Sequence, residues 1–159
     1  MKAVTVKQLR IALDDASHQE LITLCLRLSK FKKENKELLT YLLFEASDEE
    51  GYIAAVKEEI DVQFEAINTK TWYFVKKSVR KVLRTVKKYI RYSQNKETEI
   101  ELLLYFCEKL KTFRPSIENN TVLINIFERE LAAAKKKSLL LHEDLQYDFE
   151  LIIERLLTR

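Results

Sequence analysis

Between Thr69 and Lys96 the chain carries ten basic side chains and no acidic one: Lys70, Lys76, Lys77, Arg80, Lys81, Arg84, Lys87, Lys88, Arg91 and Lys96. Cations packed that densely suit the recognition of a polyanion, because each Lys or Arg set against a phosphate releases a condensed counterion. The whole chain carries +3 and this segment +10, so everything outside it sums to −7. The charge is therefore polarised along the sequence, which the small net value hides. A helical advance of about 100° per residue puts Trp72, Val75, Val79, Val82, Leu83, Val86 and Ile90 on one face. Lys76, Lys77, Arg80, Lys81, Arg84, Lys87, Lys88 and Arg91 fall on the adjoining wide arc and form the candidate polyanion-binding set. Phe74 and Tyr92 border that arc as candidates for stacking on unpaired bases, with Tyr89 nearer the apolar side.

The same residues have a purely structural reading. The preceding segment carries Glu58, Asp61 and Glu65 at spacings of three and four, one helical face that could neutralise part of the basic arc within the molecule. Long Lys and Arg stems also cover apolar surface while their heads stay solvated. A basic amphipathic helix suits an anionic membrane surface as well, but this one needs its apolar side for the core. No helix-turn-helix, zinc-finger or ribonucleoprotein motif accompanies the cations, so nothing specifies sequence readout.

Other chemistry has weaker support. His18 and His142 are the only imidazoles, and neither lies in an HExxH or ExxH pattern, so no metal site is expected. Cys25 and Cys107 sit in the apolar runs LITLCLRL and LLLYFCEKL, where a small buried hydrophobe is expected rather than a low-pKa nucleophile. Carboxylate pairs such as Glu49/Glu50 and Glu97/Glu99 suit solvated helix faces; acid catalysis would need one of them buried. Trp72 and Tyr73, opening a helix, read as packing. With a single Gly, the phosphate-cradling loops and nucleophile elbows that depend on glycine have no place to form. The expectation is a non-enzymatic chain without catalytic residues or cofactors.

The elements that position these residues are all helices. One Gly and one Pro in 159 residues cannot furnish the turns of a β-rich fold. Thr5-x-x-Gln8, Ser17-x-x-Glu20, Ser47-x-x-Glu50 and Thr98-x-x-Glu101 have capping-box spacing, with Thr98 set a residue or two inside its helix. Helices are predicted over 6–14, 18–31, 36–46, 48–67, 70–93, 97–113, 118–136 and 140–158, with Pro115 breaking the chain between the sixth and seventh. Short connections make successive helices antiparallel neighbours. ELLTYLLF (37–44) and IELLLYFC (100–107) are apolar almost all round, which predicts central helices with neighbours on several sides.

Those two segments also align. At an offset of 64 residues Arg27/Arg91, Ser29/Ser93, Lys32/Lys96, Glu37/Glu101, Leu38/Leu102, Leu39/Leu103 and Tyr41/Tyr105 are identical. Read as a duplication, this gives three-helix units over 17–80 and 81–139, a stack that resembles HEAT or armadillo solenoids in general character. The reading is an all-α single domain over 1–159, either a compact helical bundle of about eight antiparallel helices or a short helical-repeat stack. Its expected role is that of a scaffold or binding module that engages nucleic acid or an acidic protein surface through the 70–91 helix. The alternative is an interaction or homodimerisation module using apolar surface, above all the stripe Leu141, Leu145, Phe149, Ile152, Ile153, Leu156 and Leu157 of the last helix. No signal-peptide core opens the chain and no segment reaches the ~18 apolar residues of a membrane span, so a cytoplasmic protein is expected.

Overall fold

Helix starts follow the capping chemistry written in the chain. In the computed structural model, which describes residues 1–158, Thr5 and Ser17 close complete capping boxes with Gln8 and Glu20. They open α1 (Val6–Asp14) and α2 (His18–Phe31). Lys32, in extended conformation, separates α2 from α3 (Lys33–Thr40), which loosens into a π-helical turn over Tyr41–Glu45. The expected box at Ser47 is displaced by one residue. Asp48 caps α4 (Glu49–Glu65) by accepting the Gly51 amide at 3.0 Å. A side chain at Gly51 would collide with that carboxylate, since a Cβ would stand 2.3 Å from Asp48 Oδ2.

Thr71 caps α5 (Trp72–Ser93), which ends at Gln94 in the left-handed region (φ 56°). Asn95, not Thr98, caps α6 (Lys96–Thr112); Thr98 lies inside the helix and is buried. A cis Arg114–Pro115 peptide and a single 3₁₀ turn at Ile117–Asn119 precede α7 (Thr121–Ser138), whose cap is Asn120. His142 caps α8 (Glu143–Leu157) through its Nδ1. All of the regular structure among the described residues is helical, as composition requires.

The chain divides into two compact units, Met1–Phe44 and Glu45–Arg159, so the boundary falls inside the first of the two expected repeats. In the first unit α2 packs on α3, yet α1, α2 and α3 bury no residue. In the second, α6 touches α4, α5, α7 and α8 and buries eight side chains, which explains why its sequence is apolar all round. Side-chain pairs give the register. Lys57–Glu101 and Asp61–Tyr105 recur at one separation of 44 residues, so α4 and α6 run parallel. Tyr52 and Glu49 of α4 bond Tyr89 and Ser93 near the end of α5, so α5 runs opposite to both. Cys107–Phe127 and Glu99–Lys137 make α7 antiparallel to α6.

The core runs through Val56, Ile60, Phe64, Val75, Val79, Val86, Ile100, Leu102, Phe106, Leu110 and Leu123. The stripe on α8 is spent on docking: Phe149, Ile153 and Leu156 are buried, and of its seven residues only Leu157 is exposed. Leu141, Leu145 and Ile152 are half-buried, so most of the stripe is engaged within the second unit.

Candidate polyanion-binding surface

Four valines at spacings of three and four, Val75, Val79, Val82 and Val86, are fully buried and fix the rotation of α5 against its neighbours. The basic arc is thereby turned outward. Lys77, Arg80, Lys81, Arg84 and Arg91 are exposed, and none of them has an ion-pair partner among the described residues. Together with Lys88 they occupy an arc of about 100° and a length of about 21 Å along the helix. Lys76 is half-buried and likewise without an ion-pair partner.

Lys87 and Lys88 behave differently from the rest of the set. Lys87 reaches Glu130 on α7 at 2.9 Å. Lys88 lies over the rings of Tyr89 and Tyr92, at 4.6 and 6.0 Å from their centroids. The neutralising face expected on α4 does not form. Asp61 points to α6, where Lys109 Nζ lies 2.9 Å away and the Tyr105 hydroxyl donates at 2.7 Å. Burial works to raise the Asp61 carboxyl, but those hydrogen bonds outweigh it and hold the group below its ordinary range. Glu58 and Glu65 are exposed and pair with no cation of α5 among the described residues. Among the contacts between α4 and α5, the Tyr52 hydroxyl donates to the Tyr89 carbonyl, the Tyr89 hydroxyl donates to Glu59 and the Ser93 hydroxyl donates to Glu49.

The aromatic borders change too. Phe74 is 42% exposed and keeps its place beside the arc. Tyr92 is buried, because Tyr89 packs edge-on against it and its ring contributes to the core, so it cannot stack on a base. Tyr73, read from sequence as packing, is instead 65% exposed and forms an edge-to-face pair with Phe74 at 5.5 Å. Its position seven and eleven residues before Arg80 and Arg84 puts it on the cationic face, a signal the spacing already carried.

Glu130 is the functional-type residue that sequence reasoning missed. It is fully buried, accepting from Lys87 and from Arg129 at 2.7–3.0 Å. The available clue was its place on the apolar stripe Leu123–Ile126–Glu130–Ala134. Its charge adds to burial in pushing the neighbouring Cys107 thiol up to about 12, so that cysteine is inert packing as expected. Cys25 is exposed, contrary to expectation, because α2 has no core to bury it in.

A cavity of about 670 Å³ in the second unit is floored by Ile124, Phe127, Leu131, Ile153 and Leu156. Of its two lining lysines, Lys111 donates to the carbonyls of Arg155, Leu156 and Thr158. Among the described residues no cluster of His, Cys, Asp and Glu could hold a metal ion, and no helix is long and apolar enough to cross a membrane. No family model, curated protein or solved structure matches the chain, so its function has to be argued from these residues alone.

Proposed function

We propose that this protein is a non-enzymatic helical binding module that engages a polyanion, with nucleic acid as the ligand, through the outer face of α5. One observation carries the reading: Lys77, Arg80, Lys81, Arg84 and Arg91 project from one rigid helix with no carboxylate of the described residues to neutralise them. A surface that had evolved only to be solvated has no need to exclude acids over six helical turns, whereas a phosphate-tracking surface does. Tyr73 and Phe74 at the start of the stripe favour a single strand, whose unpaired bases offer faces to stack on.

Fluorescence anisotropy with labelled single-stranded RNA, single-stranded DNA and duplex DNA, at about 50 and 200 mM salt, tests the reading. Micromolar or tighter binding is expected at the lower salt, strongest for a single strand and lost on the triple reversal Lys77→Glu, Arg80→Glu, Arg84→Glu. These three side chains make no ion pair among the described residues, so the variant should keep its helical circular dichroism. Binding that survives the reversal, or no binding to any of the three probes, overturns the assignment. A protein that unfolds on reversal shows the arc to be structural.

A further inference from the structure

Glu130 is a buried carboxylate served by two cations where one would neutralise it. Lys87 Nζ already spans the group, 3.0 Å from Oε1 and 2.9 Å from Oε2. Arg129 adds its Nε and Nη2 to Oε1, at 2.8 and 2.7 Å. The three side chains together therefore carry +1. Burial divides them in the same sense: Glu130 is 2% exposed, whereas Lys87 and Arg129 are both open to solvent, Arg129 at 63%. The surplus charge thus lies at the surface with the carboxylate beneath it. Donors are left over as well. Glu130 takes one edge of the guanidinium fork, and Arg129 Nη1 has no hydrogen-bond partner among the described residues. Because both cations bond Oε1, their nitrogens stand under about 6 Å apart, within reach of two oxygens of a single phosphate.

We propose that Lys87 and Arg129 take one phosphate of the polyanion between them and carry its path from α5 onto α7. The inference rests on the polyanion reading and adds a second helix to it. Position supports the extension. Lys87 stands three residues after Arg84 and four before Arg91, so the pair continues the exposed stripe sideways and opens no separate patch. The α7 side is suited to the same ligand. Asn125, Ala133 and Lys136 share the Arg129 face at spacings of four and seven, so no carboxylate interrupts it. Lys136 is exposed and has no ion-pair partner among the described residues. A phosphate at the pair does not have to displace Glu130, since it neutralises only the charge that Glu130 leaves over. The side chains are also held in advance of binding, which spares the rotamer freedom that a free Lys and Arg would lose.

The salt dependence of single-stranded RNA binding by the full chain tests the pair, with Arg84→Ala as the reference. Arg129→Ala leaves Lys87 and Glu130 as a neutral couple, so the slope of log K against log salt should become shallower by about 0.7 and affinity at about 50 mM salt should fall at least threefold. Phenylglyoxal modification of wild type, read by mass spectrometry with and without RNA, gives a second readout that needs no substitution. RNA should shield Arg129 and Arg84 but not Arg155, which is tied to Glu108 on the far side of α6 from no cation of the stripe. A slope that Arg84→Ala lowers and Arg129→Ala leaves unchanged, or an Arg129 modified equally fast with and without RNA, would overturn this inference and leave the polyanion reading standing. Wild type that binds no RNA would overturn both.

Discussion

ELLTYLLF (37–44) and IELLLYFC (100–107) are alike in apolarity, share Glu37/Glu101, Leu38/Leu102, Leu39/Leu103 and Tyr41/Tyr105 at an offset of 64, and are opposites in structure. The second lies in α6, where Leu102, Leu103, Leu104, Phe106 and Cys107 are all buried between four other helices. The first lies in α3 and the π-helical turn, where only Tyr41 is buried while Leu42, Leu43 and Phe44 stand open. Apolarity on every side says that a helix needs neighbours on every side. It does not say that one copy of the chain supplies them. The two cysteines repeat the lesson: each sits in an apolar run, one becomes core and the other surface.

The comparison breaks most sharply at the phenylalanines. Phe106→Ala should cost about 3–5 kcal/mol in urea unfolding, since it empties a fully buried site. Phe44→Ala should change the unfolding free energy of the monomer by less than about 0.5 kcal/mol. Equal losses would mean that the 37–44 segment is covered in solution. Thiol chemistry sharpens the same contrast. In the native protein Cys25 should react with a disulfide reagent at least roughly a hundredfold faster than Cys107, whose thiolate is suppressed, and unfolding should make the two equal.

Tyr105, aligned with Tyr41 in the offset of 64, supplies a smaller test. Tyr105→Phe should lose about 1 kcal/mol at neutral pH with its hydrogen bond to Asp61. Burial and then the Asp61 bond push its phenol up to about 12, above the ordinary value of 10.0. The stability it contributes is therefore complete below pH 10 and lost as pH climbs towards 12; the variant should flatten part of that alkaline decline. Asp61 has the opposite sign: its depressed carboxyl gives stability above about pH 3.8 that disappears as acid is added. Smallest is a gain. Gln94→Gly should stabilise by about 0.5–1 kcal/mol, since Gln94 holds the left-handed conformation at the end of α5 that glycine adopts without strain.

Helical class was legible because one Gly and one Pro leave little else to build, and α1 and α2 were legible to the residue because Thr5 and Ser17 carry their own caps. The start of α4 slipped by one residue, since Asp48 and Ser47 both qualify as caps and it is the Asp48 carboxylate that accepts the Gly51 amide. In the candidate site the periodicity of α5 put Lys77, Arg80, Lys81, Arg84, Arg91 and Phe74 on an exposed face, but it gave no sign that Lys87 turns to Glu130. It misjudged Tyr92 and Tyr73, because the width of a buried face depends on how closely neighbouring helices approach, which the α5 sequence does not encode. Glu130 was invisible for a related reason: a buried carboxylate is tolerable only beside Lys87 and Arg129, and Lys87 lies 43 residues away along the chain.

The most direct test of the central claim, that the outer face of α5 binds phosphates, is the salt dependence of single-stranded RNA binding by wild type and by Arg84→Ala. Five released counterions give a slope of log K against log salt of about −3 to −4, and Arg84→Ala should make it shallower by about 0.7, one phosphate's share. A slope near zero, or one that Arg84→Ala leaves unchanged, would contradict the account.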